Sequence, residues 1–300
     1  MVTSSSQPEF QGIIPYLVSP LTAENEVNET VLRQLVSYLI ECGVHGLSPL
    51  GSTGEVMYLT QEQRERIVAI TVDEAAGRVP VIPGIAAFSC HDAATQAQRM
   101  AALGANGLVA IQQHYFPVSA SGIEQFFTAI ATATDLPVVL YTNPRLNGGI
   151  PIDVVCRLAE LPTVQYMKDA SGVTGYQLSI SNRLGDRIKF FSASAHIPAS
   201  VMELGGVGWM AGPACVVPQA AIALWDAYQQ GDHNRLWQLQ RALWPINELF
   251  QKYSLAALIK AALSIRGFDV GAPIPPLSPI PENAWDECRT ALAHADQSLT

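Results

Sequence analysis

The sequence predicts an α/β chain folded as a (β/α)8 TIM barrel with a C-terminal helical extension. Short runs rich in Val, Ile and Leu recur between amphipathic stretches, the pattern of parallel strands buried on both faces and joined by helical crossovers. Eight such runs occur, at 13–18, 46–50, 79–86, 107–111, 137–141, 164–168, 188–192 and 207–211. No GxGxxG turn follows the first run, which speaks against an open nucleotide-binding sheet, and 300 residues suffice for one barrel of about 250.

The helical segments follow from period and capping. After the second run, Thr60 and Gln63 stand at capping-box spacing before a helix. Beyond the eighth run, 220–230, 234–252 and 255–266 read as helices. Residues 271–281 are rich in proline and must be extended, and a final helix begins near Glu282. No linker marks a second domain, so 1–230 reads as the catalytic barrel and 231–300 as a helical extension of the same domain.

Composition narrows the function. The chain is 49% hydrophobic and 14% charged, with a net charge of −9, and an acidic surface does not bind phosphate backbones, so no nucleic-acid partner is expected. No stretch reaches the roughly 18 apolar residues of a membrane span and the first residues lack a leader pattern, so a cytoplasmic protein without membrane contact is expected. Cys42, Cys90, Cys156, Cys215 and Cys288 are widely spaced and read as buried, reduced thiols. The six histidines show neither HxH nor HExxH spacing, and few acidic residues end a run. Neither a metal nor a cofactor is therefore expected.

In a barrel of this kind the chemistry lies at the carboxyl ends of the strands. Of the four lysines, Lys189 lies near the start of a run, and Lys252 and Lys260 fall on helices expected outside the barrel; Lys168 alone ends a run, in VQYMKDASG. A lysine at an apolar barrel mouth loses hydration, which favours the neutral amine and makes it a nucleophile toward a carbonyl. The competing reading is a structural ion pair between Lys168 and Asp169. After the second run, Gly51, Ser52, Thr53, Gly54 and Glu55 form either a nest for a carboxylate or only a tight connection. Tyr141 ends the fifth run, where its hydroxyl can pass protons or its ring can simply pack. The glycines of 205–212 keep open a phosphate site, although no Lys or Arg lies between Lys189 and Arg235. His114 and His196 stand near strand ends, where they contact substrate or serve a structural role.

Three motifs in order, GSTGE at 51–55, YTNP at 141–144 and MKDASG at 167–172, resemble the dihydrodipicolinate synthase and N-acetylneuraminate lyase family. The resemblance runs from GIIPYLVSPLT at Gly12 to the proline-rich segment near Gly271. It implies a barrel with a helical C-terminal extension, assembled as a homotetramer. It also implies a class I aldolase-type lyase acting on pyruvate or another 2-oxo acid together with an aldehyde. By position, Lys168 resembles the Schiff-base lysine, Tyr141 the tyrosine that moves protons, and Ser52 and Thr53 the pair that holds the oxo-acid carboxylate, Thr53 linking also to Tyr141. Tyr115, in HYFPVSASG, matches a second relay tyrosine supplied by a neighbouring subunit. Gly51, Met210 and Leu146 join Ser52 as expected substrate-side residues.

Two departures bear on substrate. Synthases of the lysine pathway carry an arginine where this chain has Leu146, with Arg145 adjacent. Many also place a glycine with an acidic pair where it reads Ala193, Ser194 and Ala195. Sialate lyases usually follow the lysine with residues other than Asp169, Ala170, Ser171 and Gly172. The sequence therefore favours aldol cleavage, condensation or dehydration of a 2-keto-3-deoxy sugar acid or similar compound, and an apolar surround with Leu146, Trp209 and Met210 fits a less polar aldehyde. The alternatives are dihydrodipicolinate-type condensation, a phosphosugar enzyme using the glycine-rich eighth run, and an inactive small-acid sensor.

Overall fold

The computed structural model describes residues 9–144, 148–193 and 197–299. Among the described residues seven strands are formed: β1 (Gly12–Pro15), β2 (Gly84–Ala87), β3 (Leu108–Gln112), β4 (Val138–Thr142), β5 (Val164–Asp169), β6 (Lys189–Ser192) and β7 (Gly208–Ala211). All pair in parallel in the order β1-β7-β6-β5-β4-β3-β2.

The gap between β1 and β2 is filled by the second predicted run, 46–50, together with His45 before it. His45 N–H donates to Ile13 O at 2.8 Å and Leu17 N–H to Ser48 O at 3.0 Å on one side. On the other, Leu47 N–H donates to Pro80 O at 2.9 Å and Ile82 N–H to Leu47 O at 2.8 Å. The sheet thereby closes into a barrel with eight staves, as expected. This stave shows only isolated bridges, Tyr16 with Ser48 and Leu47 with Val81. The predicted third strand, 79–86, contracts to β2. Prolines 49, 80 and 83 explain both departures, since none has an N–H to give to a ladder.

Nearly every strand residue is buried, as strands covered by helices on one side and by the barrel interior on the other must be. The helices start where side-chain oxygens meet the first free N–H groups. Both arms of the Thr60–Gln63 capping box are made, and Asn28, Ser89 and Ser119 cap the helices that follow them.

The C-terminal part departs from expectation at one point. The helix expected over 234–252 is two, His233–Ala242 and Trp244–Lys252, because Pro245 lacks an N–H and its ring opposes the carbonyl one turn earlier. Helix Leu255–Ile265 is buried along Ala256 to Leu263, the burial expected of a helix apolar all round. The extended proline-rich segment then leads into helix Ala284–Gln297.

The expectation of five buried thiols is corrected. Cys215 and Cys288 are buried and Cys42 and Cys156 half-buried, but Cys90 is exposed, since it opens helix Cys90–Ala102 on the outer layer; all five are free. Among the described residues no helix is long and apolar enough to cross a membrane.

Candidate active site

Parallel pairing of β4 and β5 sets Tyr141 beside Lys168. Lys168 is 3% exposed, and its Nζ lies 3.6 Å from the centroid of the Tyr16 ring and 4.1 Å from that of Tyr141. Burial drives its amine well below the ordinary lysine value, because an unsolvated ammonium is costly. Asp169, next along the strand, points to the other face: its carboxylate accepts from Ser171 N–H at 2.7 Å and from Ser171 Oγ at 3.0 Å. The competing Lys168–Asp169 ion pair is not formed.

Tyr141 is buried and accepts a hydrogen bond from Asn143 Nδ2 at 3.0 Å. Burial raises its phenol above the ordinary tyrosine range, while hydrogen bonds with Asn143 and Ser52 act in the opposite direction. The turn carrying Ser52 and Thr53 is pinned where Ser19 Oγ donates to Gly54 O at 2.6 Å. Thr53 Oγ1 is buried and makes no hydrogen bond, so the expected Thr53–Tyr141 link is open and Ser52 is the member of the pair that meets Tyr141.

Gly51 and Gly212 do their work by lacking a side chain. A Cβ on Gly51 would stand 3.0 Å from the Tyr16 ring, and one on Gly212 would stand 2.4 Å from Thr53 Oγ1 and 2.5 Å from Ile259 Cδ1. Gly51 thus makes room for a neighbour and is not itself on the cavity wall.

The cavity of about 470 Å³ over Lys168 is lined on the barrel side by Tyr16, Ser52, Thr53, Tyr141, Ala211 and Gly212. Its far wall comes from the C-terminal helices, through Trp244, Asn247, Phe250, Gln251 and Leu255. Residues 244, 247 and 251 follow helical spacing, so one face of helix Trp244–Lys252 turns to the cavity. Neither this wall nor Tyr16 was anticipated. The 244/247/251 spacing was a readable signal for the wall. Tyr16 directly follows β1, whereas the first apolar run reads on to Val18 and so sets it in mid-strand.

Other expected residues lie elsewhere. Met210 and Trp209 are fully buried in β7, and the cavity is reached instead by the following Ala211 and Gly212. Tyr115 is 85% exposed after β3 and meets Phe116 edge-on at 5.0 Å. His114 is half-buried and off the cavity wall. Leu146 and Arg145, with Ser194, Ala195 and His196, lie outside the described residues.

Lys189 opens β6 and pairs with Glu9, and Lys252 pairs with Glu287 on the surface. Lys260, expected outside the barrel, is 1% exposed: its Nζ lies 2.6 Å from Glu55 Oε2 and donates to Ala272 O at 2.8 Å.

A buried amine beside a tyrosine at a barrel mouth is the geometry the three motifs led one to expect. The model of the dihydrodipicolinate synthetase family matches residues 9–295. The chain belongs to that family. A Halobacterium salinarum protein named as an uncharacterized DapA-like lyase is 30% identical over 284 residues, 94% of this chain and 92% of its own length. A 4-hydroxy-tetrahydrodipicolinate synthase of Methanospirillum hungatei is 30% identical over 291 residues, 96% of this chain and all of its own. Among solved structures, YagE, a prophage protein of the dihydrodipicolinic acid synthase family from E. coli K12 in complex with pyruvate, superposes with a TM-score of 0.91 at 26% identity, covering 96% of this chain and 99% of its own. Membership in the dihydrodipicolinate synthetase family makes this chain a class I aldolase-like lyase.

Proposed function

We propose that the chain forms a Schiff base between Lys168 and pyruvate or a related 2-oxo acid, and uses it to cleave, form or dehydrate a 2-keto-3-deoxy sugar acid or similar compound. The observation that carries this reading is the desolvated Lys168 amine, held beside Tyr141 and opening on a cavity large enough for such a substrate. The pyruvate bound to YagE supports the oxo-acid half.

The neutral amine adds to the C2 carbonyl, forming the C–N bond as a proton passes from nitrogen to oxygen. Tyr141, hydrogen-bonded by Asn143 and Ser52, is placed to carry that proton and to return one as the hydroxyl leaves as water. The protonated imine that remains draws electrons from the bond beside it. Then either the C3–C4 bond breaks as the C4 hydroxyl gives up its proton and becomes an aldehyde, or a C3 proton is lost and the C4 hydroxyl afterwards leaves as water; in both the electron pair moves first into the enamine. Ser52 and Thr53 hold the carboxylate, and the unpaired Thr53 hydroxyl is available for it. Assembly as a homotetramer brings Tyr115 of one subunit into the relay of the next, which accounts for an exposed tyrosine in a single chain.

The test is intact mass spectrometry after incubation with pyruvate and borohydride, on the wild type and on Lys168→Ala. A pyruvate-sized adduct on the wild type alone supports the reading. No adduct with pyruvate or with larger 2-oxo acids overturns it.

A further inference from the structure

Among the described residues no protein carboxylate meets the charge that appears on Nζ when the imine forms. Asp169 is committed to Ser171, Glu55 to Lys260 and Ile274 N–H, and no Asp or Glu is among the described residues lining the cavity. What surrounds Nζ is aromatic: the Tyr16 ring at 3.6 Å and the Tyr141 ring at 4.1 Å.

We infer that Tyr16 is a further catalytic residue, whose ring face, together with that of Tyr141, stabilises the iminium cation at Lys168 through its π density. The inference rests on the Schiff-base reading above. A carboxylate at this distance would hold the resting lysine as an ammonium and remove the nucleophile. A ring quadrupole attracts a cation more weakly than a full charge does. It therefore leaves desolvation in command of the resting amine, yet favours the cation once the C–N double bond has formed and water has left. The low dielectric of the site strengthens that attraction.

Tyr16 is built to hold its ring there. Its N–H donates to Ala211 O at 3.2 Å and its carbonyl accepts from Cys215 Sγ at 2.8 Å, so its backbone is anchored to the strand end and turn beside it. Gly51 leaves the space for the ring, where a Cβ would stand 3.0 to 3.2 Å from three ring atoms. The hydroxyl is buried and interacts with the Ser48 side chain, whose own Oγ donates to Ile82 O at 2.8 Å. The ring face, over which Nζ lies, is the part of Tyr16 that acts.

The test replaces Tyr16 in the full-length chain by Phe and by phenylalanines bearing one, two and three ring fluorines, which withdraw π density with little change in shape. The readout is the rate of Lys168 adduct formation with pyruvate and cyanoborohydride, followed by intact mass. Tyr16→Phe is expected to stay within about threefold of wild type, and the trifluorinated ring to fall by about tenfold, with the steps between in order. Tyr16→Leu is expected to lose at least as much, but the fluorinated series decides the matter should that variant fail to fold. Equal rates across the series, with the adduct still forming, overturn the role of Tyr16 and leave the Schiff base standing. Absence of the adduct from the wild type overturns the Schiff-base reading and this inference with it.

Discussion

Lys260 Nζ lies 2.6 Å from Glu55 Oε2 in a pair almost wholly shut off from solvent. Glu55 ends the GSTGE turn in a left-handed conformation, with φ of 54°, and its second oxygen accepts from Ile274 N–H at 2.6 Å. Lys260 sits on helix Leu255–Ile265, beside the Ile259 that approaches Thr53 across Gly212. One buried pair therefore ties the turn bearing Ser52 and Thr53 to the C-terminal helix and to the proline-rich segment. Burial pulls the Lys260 amine below its ordinary value, and Glu55 opposes that pull.

Removing one partner strands the other. Lys260→Met is expected to destabilise the fold by about 3–5 kcal/mol, because a buried carboxylate loses its counter-ion. Adding Glu55→Gln should recover part of that loss. Urea denaturation of the single and double variants measures both, and a single variant within about 1 kcal/mol of wild type would show that the pair does not hold the turn.

Lys168 has the opposite effect on stability. Its folded-state pKa lies below the unfolded value, so between the two the unfolded chain binds more protons and stability rises with pH. The penalty is complete below the folded value and gone above the ordinary lysine value. Lys168→Met is expected to be inactive yet more stable than wild type at about pH 7, with the advantage shrinking toward about pH 10. Denaturation at both pH values tests the sign, and an advantage that grows with pH would contradict it.

Tyr141→Phe keeps the ring beside Lys168 and removes the hydroxyl. Turnover should fall by roughly a hundredfold, the scale of a lost acid–base group, while the borohydride-trapped adduct still forms more slowly. Single-turnover kinetics separate the two, and unchanged turnover would remove Tyr141 from the relay.

Gly212→Ala places a methyl group where Thr53 Oγ1 and Ile259 Cδ1 already stand. Overpacking of this kind destabilises by about 1–3 kcal/mol. Because Thr53 is displaced, KM for the 2-oxo acid should rise more than kcat falls. Steady-state kinetics across pyruvate concentrations check the split.

Lys168 and Tyr141 were legible because each ends an apolar run, and in a barrel a strand end is an address. The turn at 51–54 was legible from its small residues, although the duty assigned to Gly51 belongs to the ring it accommodates. Stave 46–50 is legible from its hydrophobicity, whereas the brevity of its ladder follows from Pro49 within it and from Pro80 and Pro83 on the neighbouring segment. Tyr16 escaped because one residue of strand length separates a core position from a cavity wall. Trp244, Asn247, Phe250 and Gln251 are illegible for a different reason: strand ends carry no mark of a wall supplied by a helix far along the chain. The helix of Lys260 is legible in the sequence, but its burial is not, because the partner Glu55 is brought to it only by the fold.

The cavity takes one wall from Tyr16 and another from Leu255, positions that leave the ribosome far apart in time. While the chain is being made, Lys168 emerges long before helices Trp244–Lys252 and Leu255–Ile265 exist to cover it. Open to water, its side chain is an ordinary ammonium and a poor nucleophile. The cavity over that amine is complete only when the last helices dock, so a chain that stops short of them has the lysine without its enclosure.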